Sequence, residues 1–267
     1  MKSFNKIVCS IVLFFGYADN NVHAQVIAPY LQEVRYSTNI DYVNAEPISI
    51  FSNHVIIDTI GSASSTLTPA VITDARNTQV DGYHLDSSGF QYYSFNTDTR
   101  VGGVQVLKSD IIRCLDFVCS GFSIFFDSDA LSVKDININA FTLDPNNGEL
   151  IFSIQNDGEI NGSTFLASDL IRFDGTNFSL EYNSLSDIFS RYKNIDGLMF
   201  ASNNRYLVSF ANESIFHEIY EYNLTTNVWS TAYTPLSFGD SYSQINIKSL
   251  MVAIQPVPDL IFQDSFE

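Results

Sequence analysis

The side chains of this chain that could do chemistry are mostly oxygen donors, and they recur in register. One acid closes each of three β-like segments: Asp98 in YYSFNTD, Asp157 in IFSIQND and Glu213 in LVSFANE. Another acid opens the segment that follows: Asp110 in SDIIRC, Asp169 in SDLIRF and Glu218 in HEIYEY. A connection can bring such ends together, and oxygen-only ligands suit a hard cation, so these six are candidate Ca²⁺ ligands, with Asn156 and Asn161 beside them in one unit. Their spacing matches no established calcium loop. The competing reading is a solvated turn in which Asp110 and Asp169 pair with Arg113 and Arg172.

A second constellation is formed by Asp81, Asn139, Asp196 and Lys248, which hold one place in four aligned segments. In a closed ring these four face a central channel. Two acids, an amide and a lysine then make an internally compensated polar plug, because buried charges need partners. Cys114 and Cys119 form a close pair, expected to close a hairpin as a disulfide in an oxidising compartment. A zinc site would need further Cys or His ligands nearby, and His54, His84 and His217 lie scattered. The chain has no G-x-S-x-G elbow, no H-E-x-x-H and no phosphate-binding G-x-x-x-x-G-K-[ST]. Glycoside hydrolysis needs only two suitably spaced carboxylates, and no pair stands out.

The elements that position these residues come from a repeat of about fifty-eight residues. VDGYHL (80–85), INAFTL (138–143), IDGLMF (195–200) and IKSLMV (247–252) align without gaps as a first strand. Each has a small residue in third place (Gly82, Ala140, Gly197, Ser249), which lets backbones approach closely. Turns rich in Asn, Asp, Ser and Gly lead to a second strand with Ser94, Ser153 and Ser209 in register. SDIIRC, SDLIRF and HEIYEY form the third strand, and FSIFFD, FSLEYN and VWSTAY the fourth; all are aromatic and β-branched. Near the N-terminus, QEVRYS (32–37) reads as a third strand and ISIFSN (48–53) as a fourth, while Ile247–Val252 is a first strand without a successor. Together they predict a composite blade that closes a ring and removes exposed edges. The expected fold is therefore all-β, a propeller-like ring of four-stranded antiparallel blades, four in number, with the N- and C-terminal segments sharing one. Residues 54–78 do not fit this register, which leaves a five-bladed ring or a stacked β-sandwich open.

Lys2, Lys6, the apolar run from Ile7 to Ala18 and the small-x-small site Val22-His23-Ala24 predict a cleavable signal peptide over 1–24. The repeat domain then covers 25–254 and a tail 255–267. No later run approaches the length of a membrane span. The net charge of −17 makes nucleic acid and anionic membranes poor partners.

The stretches FNTDTRVGGVQVLKSDIIRCLDFVCSGFSIFFD and LDPNNGELIFSIQNDGEINGSTFLASDLIRFDGTNFSLEYN resemble repeats of secreted, propeller-like proteobacterial proteins that lack a defined activity, over about residues 79–254. That resemblance implies no catalytic residues. The ending DLIFQDSFE resembles a short tail (IF, any residue, D, a small residue, FE) of exported gammaproteobacterial proteins and implies a role in export or surface handling. The functional expectation is a secreted or cell-surface binding module for a protein, glycan or cation, monomeric, with Ca²⁺ as the candidate ion. The alternatives are a carboxylate-based hydrolase of an extracellular polymer and a purely structural surface protein.

Overall fold

The computed structural model describes residues 78–116, 119, 121–133, 135–187, 193–201, 204–211 and 218–233, and the backbone of strand segments 31–38, 42–43, 49–50, 56–59, 65–67 and 247–254. Strand β1 (Leu31–Thr38) is followed by a hairpin of β2 (Tyr42–Val43) and β3 (Ser49–Ile50), then by β4 (Ile56–Thr59) and β5 (Ser65–Leu67). The next unit comprises β6 (Val80–Leu85), β7 (Gln91–Phe95), the hairpin β8 (Thr99–Val101) and β9 (Val104–Val106), β10 (Ile111–Cys114) and β11 (Phe122–Phe126). The third repeats it with β12 (Ile138–Leu143), β13 (Leu150–Ile154), the hairpin β14 (Gly158–Ile160) and β15 (Ser163–Phe165), β16 (Leu170–Phe173) and β17 (Phe178–Tyr182). The fourth comprises β18 (Ile195–Ala201), β19 (Arg205–Phe210), β20 (Ile219–Asn223) and β21 (Val228–Tyr233), after which β22 (Ile247–Ile254) ends the described chain.

Among the described residues these strands form four four-stranded antiparallel sheets, β22-β1-β4-β5, β6-β7-β10-β11, β12-β13-β16-β17 and β18-β19-β20-β21. The first strands contact one another in cyclic order, β6 to β12 to β18 to β22 and back to β6. The fold is a β-propeller. The composite blade exists as expected: β22 lies antiparallel to β1, with Val34 opposite Val252 and Arg35 opposite Met251.

The internal order of that blade corrects the sequence reading. Residues 32–37 lie in the second strand, beside β22, not in the third. Ser49–Ile50, the described part of the expected fourth strand 48–53, pairs instead with Tyr42–Val43 in a small hairpin. The third and fourth strands are β4 and β5, inside the stretch that had seemed out of register. The cause is a device shared by three blades. A small hairpin leaves the sheet between the second and third strands, as β2–β3, β8–β9 and β14–β15. Gly102 and Gly103, and Asn161 with Gly162, supply the positive φ its tight turns need.

Alternation carries the packing. Second strands β7 and β13 are buried at every position, because each faces a neighbouring blade on both sides. Tyr92, Ile111, Phe126, Phe141 and Phe152 pack into one core between the second and third blades. Ile151, Leu170, Tyr182, Leu198, Tyr206 and Tyr222 form the next, between the third and fourth. Close approach at the axis is visible at Gly82, where an added Cβ would lie 2.3 Å from Phe141 Cδ1 and 2.6 Å from Ser94 Oγ.

Candidate functional site

Three of the four axial residues occupy one special backbone position. Asp81, Asn139 and Asp196 are each skipped by the first-to-second strand register, which makes them β-bulge residues. A bulge re-aims its side chain, and all three are fully buried. The Asn139 amide donates to Ile195 O at 2.6 Å and to Asp196 Oδ1 at 2.9 Å, tying the third blade to the fourth. Ser153 Oγ adds a bond to the same carbonyl. Lys248 differs: it pairs with Ser37, and the skipped residue of β22 is Ser249.

The acids proposed as cation ligands are engaged in holding the blades together. Asp110 Oδ1 accepts from Ser128 N and Oγ at 3.0 and 2.6 Å, and its Oδ2 accepts from Leu107 N at 2.9 Å. Asp169 does the same one blade later with Ser184 N, Ser184 Oγ and Leu166 N. Each of these two buried carboxylates thus accepts three hydrogen bonds from protein donors. Asp98 accepts from Lys108 N and Asp157 from Ala167 N, each fixing the base of its small hairpin. Glu218 accepts from the Tyr220 hydroxyl, and Glu213 lies outside the described residues. Among the described residues no three His, Cys, Asp or Glu side chains converge as a metal site. The expected partnership of Asp110 and Asp169 with Arg113 and Arg172 is absent among the described residues, because Arg172 reaches Asp144, Glu149 and Glu181 and Arg113 stacks on Phe90.

Arg172 anchors the densest charge cluster. Its Nη1 donates to Asp144 Oδ2 at 2.9 Å and Glu149 Oε2 at 2.6 Å, and its Nε and Nη2 clasp Glu181 at 2.7 and 3.0 Å. The Tyr206 hydroxyl of the next blade donates to Glu181 Oε1 at 2.6 Å. Burial pushes the Glu181 carboxyl up, but the bonds from Arg172 and Tyr206 and the guanidinium charge outweigh it and hold it below its ordinary value. Asp144 is held down likewise: burial raises it, while its Asn146 and Arg172 donors lower it further. Burial, then the bond to Glu181, raises the Tyr206 phenol far above its usual range.

The same two sheet positions are filled differently in each blade. In the fourth blade the charges are exchanged, Arg205 Nη1 standing 3.4 Å from Glu221. In the second blade Arg113 lies 3.9 Å over the Phe90 ring and 5.8 Å from that of Tyr92. Burial, then the neighbouring Asp86 carboxylate, pushes the Tyr92 phenol up to about 12.

The Cys114–Cys119 disulfide forms as expected and closes the β10–β11 connection. Beside it lies an open cleft of about 460 Å³ whose described walls are Val101, Gly102, Val104, Cys119, Gly121, Phe122 and Ile124. Val104 is 50 % exposed, Leu115 57 %, Ile124 37 % and Phe125 40 %. Tyr92 and Tyr93 of the second strand are both buried. The available signal was the fourth strand FSIFF, which carries no charge, against FSLEY in the next unit.

No family model matches the chain, and no curated protein matches it. Solved structures do resemble it. A chain of a nidogen–laminin complex is 10 % identical, covers 87 % of this chain and 86 % of its own, and has a TM-score of 0.41. The hemopexin fold protein CP4 from cow pea is 10 % identical over 84 % of this chain and 94 % of its own, at 0.40. A protein described as a putative gluconolactonase is 14 % identical over 86 % and 80 %, at 0.38. These likenesses concern the fold alone.

Proposed function

We propose that this chain is an exported, monomeric β-propeller that binds a protein ligand through the outer edge of its second blade and performs no catalysis. The observation that carries the reading is the apolar surface around the Val104–Ile124 cleft on a chain of net charge −17. Exposed apolar clusters on soluble proteins mark contact surfaces. The disulfide supports it, since it fixes the lip that presents Leu115 and fits an oxidising compartment. The described acids at the strand ends bond to backbone and serine donors, which favours structural roles for them over hydrolysis.

The test uses the mature protein and a Val104→Ser/Ile124→Ser variant, whose exposed positions leave the core intact. Both are screened by interferometry against extracellular proteins and a glycan array, with and without calcium. A protein ligand bound by the wild type and weakened at least about tenfold in the variant supports the reading. Equal binding by both, or a ligand found only on the glycan array, contradicts it.

A further inference from the structure

Arg113 and Arg172 hold one register in consecutive blades. Each faces a fourth-strand serine, Ser123 or Ser179, and each has a bulged residue two positions beyond that serine, Phe125 or Glu181. The third blade therefore displays what this position binds. Arg172 takes carboxylates from Asp144, Glu149 and Glu181, with Glu181 held at both Nε and Nη2.

In the second blade two of the three carboxylates are replaced and the third is engaged elsewhere. Phe90 stands at the place of Glu149 and Phe125 at that of Glu181. Asp86 keeps the place of Asp144, but its Oδ2 accepts from the Tyr92 hydroxyl at 3.1 Å, and its Oδ1 from Ser88 N and Phe90 N. Arg113 is left stacked on Phe90 and Tyr92, with its Nε buried and without an acceptor. That atom is the counterpart of the Arg172 nitrogen that donates to Glu181 at 2.7 Å. An orphaned buried donor on a cation is costly and calls for an explanation.

We propose that the second blade at Arg113, on the face turned to the third blade, is a carboxylate-binding subsite, taking an acid carried on an apolar or aromatic group. The carboxylate takes the role of Glu181: the Phe125 ring turns aside to admit it to the buried Nε and to Nη2, in the two-point manner that suits a guanidinium. The apolar body lies against Phe125, whose exposed ring meets Tyr92 edge-on at 5.1 Å, and against Phe90. Tyr92 and Phe90 pack with Phe141 and Phe152 of the next blade, so the subsite rests on the core between the two blades. It is separate from the Val104–Ile124 cleft, and its failure would leave that reading standing.

The chemistry fits a free aryl or alkyl carboxylic acid and equally the C-terminal residue of a peptide. The experiment titrates the full mature protein with 3-phenylpropionate, 3-phenylpropanamide and acetyl-Gly-Phe with a free C-terminus, following the Arg113 Nε–H resonance. The acid is expected to shift that resonance with a dissociation constant of about 1–20 mM, and the amide to leave it still. Tighter binding of the peptide identifies a C-terminus as the source; weaker or equal binding identifies a free acid. Phe125→Glu rebuilds the third-blade arrangement within the chain and should weaken the response at least about tenfold. The proposal is overturned by equal responses to acid and amide, by no response to either acid, or by an unchanged titration in Phe125→Glu.

Discussion

Replacing Arg172 with Met removes one charge and strands three. Asp144, Glu149 and Glu181 converge on this guanidinium within 2.9 Å, with side-chain exposures of 8, 28 and 18 %. Removing one partner of a buried pair costs about 3–5 kcal/mol. Solvent reaches this cluster in part, so the expected loss is about 2–4 kcal/mol. The pH dependence fixes the mechanism. In the wild type the Asp144 and Glu181 carboxyls are held below their ordinary values of 3.8 and 4.5, so their contribution is present above those values and is lost as pH falls. In the variant the same carboxyls repel one another, their values rise, and protonation stabilises the fold. The gap between the two proteins should thus be full at pH 7, begin to narrow near pH 4.5 and shrink progressively below about pH 4. Urea unfolding followed by Trp229 reads it, because that sole tryptophan packs on Tyr182, Phe210 and Tyr222. A gap below about 1 kcal/mol at pH 7, or one unchanged between pH 7 and about pH 3, would refute the electrostatic account.

Gly82→Ala places a methyl group inside contact distance of Phe141 and Ser94, and calorimetry should record a loss of about 1–3 kcal/mol; a neutral substitution would mean the axial strands are less tightly apposed. His84 is lowered to about 4 by burial, against the opposing pull of Asp86, and its Nδ1 lies 3.4 Å from Thr142 Oγ1. The unfolded chain takes that proton first, so between pH 7 and 4.5 the wild type should lose about 2 kcal/mol more stability than His84→Gln, and equal losses would count against a buried neutral imidazole. Lys248 shares the axial strand layer with the buried Asp81 and Asp196, and Lys248→Met should cost about 3–5 kcal/mol if it is their counter-charge. An unchanged unfolding midpoint would remove it from that role.

Much of the ring was legible because the first strand carries a strict pattern, with a small residue third and a polar residue second, and the closing copy was visible as Ile247–Val252. The internal order of the composite blade was not. Its second strand shows the alternation of a third strand, and period-two patterning assigns faces without assigning positions in a sheet. The small hairpins between second and third strands have arms of two or three residues, too short for any periodicity. The acids were legible as a recurring feature, but their partners were not, since Ser128 and Ser184 lie 18 and 15 residues downstream of Asp110 and Asp169. The same distance hid the Arg172 cluster, where Asp144 is 28 residues away and Tyr206 belongs to another blade. Arg113 is close to Asp110 in sequence, but the rings it stacks on, Phe90 and Tyr92, belong to the preceding strand and its approach.

The central claim is a propeller closed by pairing β22 with β1, and cysteines at the directly opposed positions Arg35 and Met251 test it most simply. Oxidation of Arg35→Cys/Met251→Cys should give a crosslinked monomer with a raised unfolding temperature, joining the two ends of the domain across the closing blade. Failure to crosslink within one molecule, with Cys114 and Cys119 still paired, would contradict closure of the ring.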